Sequence, residues 1–178
     1  IVLGMVVSVG LAIMISLMRN KRASKVYQTM MFFPYFMSWV VASYFLDAFL
    51  NQNNGLINNM LRNSGQQPIQ WYMTAGAWPA ILTFMYLWKS TGYNMVIYLS
   101  SISGIDTTLY EAAVMDGANK RQQVFHITLP CLKNVIIMMF ILNVGKIFYS
   151  DFGLFYQLSQ GASGSIFKTT ATIDTYIY

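Results

Sequence analysis

Apolar residues in this chain come in long unbroken runs separated by short polar stretches, so run length predicts its elements better than any alternation does. A helix needs about 20 apolar residues to cross the hydrocarbon core of a bilayer, with roughly 17–25 tolerated. Four runs approach that length: residues 1–18, about 30–50, about 75–102 and 131–149. The second holds Phe33-Pro34-Tyr35-Phe36 and one acid, Asp47, near its end. The third is interrupted by Lys89-Ser90-Thr91-Gly92-Tyr93, and the fourth carries Asn143 and Lys146. Between them lie a basic collar (Arg19, Lys21, Arg22, Lys25), an Asn- and Gln-rich stretch over 51–70 that reads as a loop, and a mixed stretch over 106–130. Residues 150–178 hold no run long enough to span.

Composition turns these runs into a class. Of 178 residues, 56% are hydrophobic and only 10% are charged, against about 25% charged in soluble domains. Disorder is excluded by the apolar content, and a disulfide scaffold by the single Cys131. We read an all-α integral membrane protein with four spans. The formal charge of +5 does not point to nucleic acid, because the basic residues sit at the ends of the apolar runs and form no separate patch. Lys and Arg in short loops stay cytoplasmic. Arg19, Lys21, Arg22, Lys25, Lys120, Arg121 and Lys133 fall on one side of four alternating spans, and Arg62 and Lys168 on the other. Residues 19–29 and 106–133 are therefore expected in the cytoplasm, with 51–70 and 150–178 outside. The chain opens inside an apolar run without Met and ends without a polar tail, so it reads as a piece of a longer protein. Gly161 to Thr169 fails the spacing of a phosphate loop.

The densest chemistry lies in 104–130. Thr108 with Glu111 three residues on has the spacing of a capping box, and Gly117 suits the left-handed residue that ends a helix. A second short helix is expected from Asn119 to Thr128, bringing Arg121, Val124 and Ile127 near one face, with Pro130 breaking the chain before the next span. On the residues alone, Glu111 and Gly117 can be read simply as a cap and a helix stop.

The composite Glu111-Ala112-Ala113, two residues, Asp116-Gly117-Ala118, eight residues, Ile127-x-Leu129-Pro130 resembles the EAA loop of ABC-transporter permeases of the MetI-like fold. Gly104-Ile105-Asp106, Phe125-His126, Tyr35 to Trp39 and Ile173 to Tyr176 resemble the carbohydrate and polysaccharide branch, with Asp106 standing where many sugar permeases carry Pro. The resemblance implies a MetI-like helix bundle, one permease domain over 1–178, with a cytoplasmic coupling loop over about 104–130. It implies that Glu111, Ala112, Ala113, Asp116 and Gly117 dock a cytoplasmic ATPase subunit. Glu111 would pair with a basic residue there, Ala112 and Ala113 would let the helix seat closely, and Gly117 would make the turn.

It also implies a substrate path near Trp88, Gly92 and Tyr93, where Gly92 would loosen the helix and the rings would face a sugar, and near Asn143, Tyr149 and Asp151. A Gly kink with core aromatics remains open for the first group, and a solvated helix-end acid for Asp151. The resemblance implies no catalytic residue, no metal and no cofactor in this chain, with ATP and Mg on the partner ATPase. The partners it implies are ATPase subunits, a second permease of the same fold, an extracytoplasmic solute-binding protein and the lipid of a bacterial cytoplasmic membrane. An importer of another solute (an amino acid, peptide or metal chelate), a secondary transporter and a membrane-embedded enzyme stay as rival readings. The scattered acids speak against the enzyme.

Overall fold

The computed structural model describes residues 1–146, 151–161 and 166–172, with the side chain of Lys168 left aside. No strand occurs among the described residues. The helices are α1 (Val2–Ser16), α2 (Lys21–Phe32), α3 (Trp39–Leu50), α4 (Leu56–Asn63), α5 (Trp78–Ser103), α6 (Thr107–Met115), α7 (Lys120–Gln123), α8 (Leu129–Gly145) and α9 (Phe167–Thr170). The chain divides into two compact units, Ile1–Phe36 with Trp88–Ile147, and Met37–Leu87 with Phe148–Tyr178.

In the first unit, α1 packs against α2 and α8. Gly4, Ser8, Ala12 and Ile15 form the buried stripe of α1, small residues that let helix backbones approach in an apolar solvent. The core joins Ala12 and Ile15 to Met95 and Tyr98 of α5 and Met139 of α8. The outward faces are apolar too: Val2, Val6 and Met14 on α1, and Met138, Ile141 and Leu142 on α8, are each more than half exposed. A water-facing surface would not carry such contiguous apolar faces without a partner or lipid to cover them.

Four elements differ from the sequence expectation. The run 30–50 is not one helix. Around Pro34 the chain tightens into a 3-10 turn, Phe33–Phe36, and Ser38, extended at φ −67° and ψ 157°, caps a new helix by accepting from the Val41 N–H at 3.2 Å. The stretch 51–70 is not simply a loop, since it contains α4. Gly92 does not loosen α5, which runs unbroken for 26 residues, about 39 Å at 1.5 Å per residue. Instead, a Cβ at Gly92 would land on the backbone of Met31 and Phe32, so this glycine is where α2 crosses α5 at backbone distance. Finally, Pro130 does not break the chain. It occupies the second position of α8, and the helix is continuous from Lys120 to Gly145 through a π-helical turn, Val124–Thr128. Proline offers no N–H and its ring crowds the carbonyl four residues back; the wider π turn absorbs both effects.

That continuous helix is, taken singly, the one element long and apolar enough to cross a membrane among the described residues, and the broken pair from Lys21 to Leu50 qualifies only as a unit.

The second unit packs α3 against α4 and against a second π-helical turn, Gly153–Gln157. Trp78 is fully buried and donates its indole N–H to the Trp71 carbonyl at 2.9 Å.

Candidate functional site

Residues 106–130 form a helix–turn–helix whose backbone is fastened at every end. The N-cap of α6 is Asp106, not Thr108: its Oδ1 accepts from the Thr108 N–H at 3.0 Å. That bond holds the Asp106 carboxyl below its ordinary value of 3.8. Glu111 therefore lies a turn inside α6, out of reach of a capping role. Gly117 has φ +77°, the left-handed conformation that favours glycine. Around it the Ala118 N–H donates to Ala113 O at 2.8 Å and the Gly117 N–H to Val114 O at 3.0 Å, a Schellman closure. Asn119 then opens α7 with a reciprocal capping box. Its side chain accepts from the Gln122 N–H at 2.9 Å, and its own N–H donates to Gln122 Oε1 at 2.8 Å. The two arms are tied by Tyr110 Oη and Thr128 Oγ1, 2.9 Å apart, and by Gln123 Nε2 donating to Ala118 O at 3.0 Å.

Three charged side chains are left out of this bracing. Glu111, Asp116 and Arg121 are exposed, and none has a hydrogen-bond or ion-pair partner among the described residues. No residue of α6 is buried, and Leu109, Val114 and Met115 are exposed beside the acids, Met115 to 87%. Ala112 is exposed and Ala113 half-buried, next to a shallow notch formed with Ala118, Gln122, His126 and Ile127. An acid at the C-cap, like Asp116, opposes the helix dipole. The arrangement presents a small-residue, acid-bearing helix face on a rigid backbone.

The residues expected along a substrate path fall into separate environments. In the first unit, Tyr93 stacks on Tyr35 with ring centroids 4.6 Å apart and 12° between planes, and on Phe32 at 6.3 Å. Tyr93 and Tyr35 are each 41% exposed, so the stack offers an open ring surface. Lys89 donates to the Tyr35 carbonyl at 2.8 Å and lies over its ring, 5.5 Å from the centroid, which accounts for a cation inside an apolar run. Trp88 is half-buried in α5. Asn143 donates back to Met139 O of its own helix at 2.7 Å. In the second unit, Asp151 Oδ2 accepts from the Trp39 indole N–H at 2.9 Å, and Oδ1 from the Leu154 N–H at 3.3 Å. Tyr149 lies outside the described residues. The partnership of Tyr93 with Phe32 and Tyr35 was not foreseen from sequence, although the aromatic run before Ser38 was the available signal. No cluster of metal-binding side chains occurs among the described residues.

Residues 4–171 match the family described as "Binding-protein-dependent transport system inner membrane component". The chain belongs to that family. Among relatives of this inner-membrane family, it is similar to the polygalacturonan/rhamnogalacturonan transport system permease protein YteP of Bacillus subtilis, 32% identical over 97% of this chain and 53% of the relative. It is also similar to the lactose transport system permease protein LacF of Rhizobium radiobacter, 31% identical over 97% of this chain and 58% of the relative. Among solved structures, it resembles a chain of a bacterial ABC transporter involved in the import of the acidic polysaccharide alginate. There the TM-score is 0.89 at 30% identity, covering 97% of this chain and 59% of that one. The same kind of transporter has been solved in complex with an alginate-pentasaccharide-bound periplasmic protein, with a TM-score of 0.90. The chain spans about half the length of the curated relatives it matches.

Proposed function

We propose that the chain belongs to a permease subunit of an ATP-driven importer of oligosaccharides, a multi-pass protein of a bacterial cytoplasmic membrane. It forms part of the substrate path and couples it to a separate ATPase subunit, which binds ATP and Mg. A second permease of the same fold completes the path, and a solute-binding protein delivers the cargo from outside. The names of the relatives, permeases for pectic polysaccharide and lactose and an alginate importer, support a carbohydrate cargo. The open Tyr35–Tyr93 stack supports it chemically, since ring faces pack against sugar C–H groups.

The observation that carries the coupling role is the unpaired Glu111 on the exposed face of α6, in a hairpin continuous with a spanning helix. A basic residue of the ATPase supplies the missing partner. Because Lys120–Gly145 is one helix, movement of the docked hairpin is passed along the helix axis into the membrane without a flexible joint. ATP-driven closure of the ATPase pair thereby switches the path between inward- and outward-open states.

The test uses the complete permease. Glu111→Gln removes the charge and retains the side chain's size. Truncating one partner of an interfacial charge pair costs about 2–5 kcal/mol, so ATPase association should weaken by about 30-fold or more, with substrate-stimulated ATP hydrolysis in vesicles falling alongside. Wild-type co-purification and wild-type stimulation in that variant would overturn the role given to Glu111. Uptake that persists without ATP would overturn the importer itself.

A further inference from the structure

A cavity of about 510 Å³ lies in the first unit among the end of α1, the start of α2, the end of α5 and the hairpin. Its volume is within the ~300–1,000 Å³ usual for small-molecule sites. Three lysines line it, Lys21 and Lys25 from α2 and Lys120 from α7, and no carboxylate does. Between them are the buried Ser24 and Gln123 and the half-buried Gln28, which donates to Ser24 Oγ at 3.0 Å. Lys120 reaches Gln123 Oε1 at 3.3 Å, whereas Lys21 and Lys25 have no partner among the described residues. The first turn of α2 holds no acid. Two lysines of this cluster thus stand at or near the positive end of a helix dipole, where cations are disfavoured. Mutual repulsion among three ammonium groups adds to that cost, and no carboxylate lines the cavity to offset it.

The ends of α1 and α5 add an apolar part to the lining, Ile15, Leu17, Leu99 and Ile102, beside Ser16 and Ser103. It therefore sits where apolar helices give way to basic residues, the level of the cytoplasmic phosphate plane in the topology proposed above.

We propose that this cavity binds the phosphate headgroup of an anionic phospholipid of the cytoplasmic leaflet. The lysines pair with the phosphate, Ser24 and Gln28 offer hydrogen bonds, and the apolar wall takes the first carbons of the acyl chains. Because α2 and the hairpin both line the cavity, the lipid braces the coupling hairpin against the first helix of the broken pair. A soluble phosphate ester carries the same headgroup chemistry, and the apolar wall favours the lipid. The inference rests on the membrane placement of the chain but not on its cargo.

The complete permease, purified in mild detergent, is presented with phosphatidylglycerol and phosphatidylcholine of matched chains, and retained lipid is counted by native mass spectrometry. Phosphatidylglycerol should be retained preferentially. Each basic residue near a membrane surface is worth enough for roughly fivefold in binding, so Lys21→Gln or Lys25→Gln should cut that preference about fivefold. The triple variant K21Q/K25Q/K120Q should abolish it. Lys133→Gln, outside the cavity, should leave it unchanged, and an unaltered melting temperature shows that the triple variant is folded. Displacement of the lipid by millimolar inorganic phosphate supports a headgroup site. Protection by inorganic phosphate with no preference between the two lipids overturns the lipid assignment in favour of a soluble anion. A triple variant that keeps the preference overturns the site altogether. Uptake is not the readout, so failure here leaves the importer reading standing.

Discussion

The two long polar connections, residues 51–70 and 106–130, treat their side chains in opposite ways. In 51–70 the polar groups are spent on the connection itself. Asn58 is fully buried, donates to the carbonyls of Ile69 at 2.9 Å and Asn51 at 3.2 Å, and accepts from the Ile69 N–H at 2.9 Å. Arg62 clamps the carbonyls of Asn53 and Gln52 at 2.6 and 2.9 Å. Asn51 accepts from the backbone of Asn53 and Asn54. In 106–130, caps and a left-handed turn fasten the backbone, while Glu111, Asp116 and Arg121 reach outward with no partner among the described residues. A connection that satisfies its own polar groups is a folded plug. One that orders its backbone and leaves Glu111, Asp116 and Arg121 unpaired presents those charges outward, as the coupling role proposed above requires.

Substitutions sharpen this contrast, and we order them by expected loss of stability. Asn58→Ala should be the costliest, because it empties a fully buried position and removes the partner of the Ile69 N–H and of the Ile69 and Asn51 carbonyls; each group left unsatisfied costs about 1–3 kcal/mol. Hydrogen exchange should show lost protection at Ile69 while the amides of 107–123 are unchanged. If both regions loosen together, the connection is not self-contained. Gly117→Val comes next, at about 1–2 kcal/mol, since a branched residue resists φ +77° even though the space around Gly117 is open. Gly117→Asn should recover much of that loss; if it does not, contact and not backbone conformation governs the turn. Arg62→Met should cost about 1 kcal/mol, read as faster exchange across α4, because it removes two exposed hydrogen bonds and keeps the aliphatic stem. Glu111→Gln should be the smallest, within about 0.5 kcal/mol, as expected for a surface group without partners. A melting shift of several degrees in that variant would mean Glu111 is already paired inside the permease, and the contrast between the two connections would fail.

What could be read in advance depended on range. The hairpin was legible because its signals are local. Gly117 demands a left-handed turn, a second short helix is expected from Asn119, and the run from Cys131 onward is apolar enough to be a helix in any context. The error at the start of α6 was also local: Thr108 with Glu111 matches the box spacing as well as Asp106 matches a simple cap, and only the backbone geometry chooses between them. The helix α4 was hidden by composition. Leu56, Ile57, Met60 and Leu61 have helical spacing, but the asparagines around them read as turn residues until Asn58 is seen turned inward.

Other features had no local signal. Trp39 and Asp151 are 112 positions apart and meet through one hydrogen bond. Gly92 is required not by its own helix but by the backbone of Met31 and Phe32 lying against it. Tyr93 gains its stacking partners, and Lys89 its carbonyl, only when α2 crosses α5. The lysines of the basic collar are joined by Lys120 around one cavity for the same reason. Run length and charge placement were enough to read a helical membrane protein, because solvent preference acts residue by residue, and the composite from Glu111 to Pro130 carried the family resemblance. Which side chains keep their charges free, and which spend them on one another, was decided by tertiary structure, because a hydrogen bond needs both partners within about 3 Å and only the folded chain brings distant residues that close.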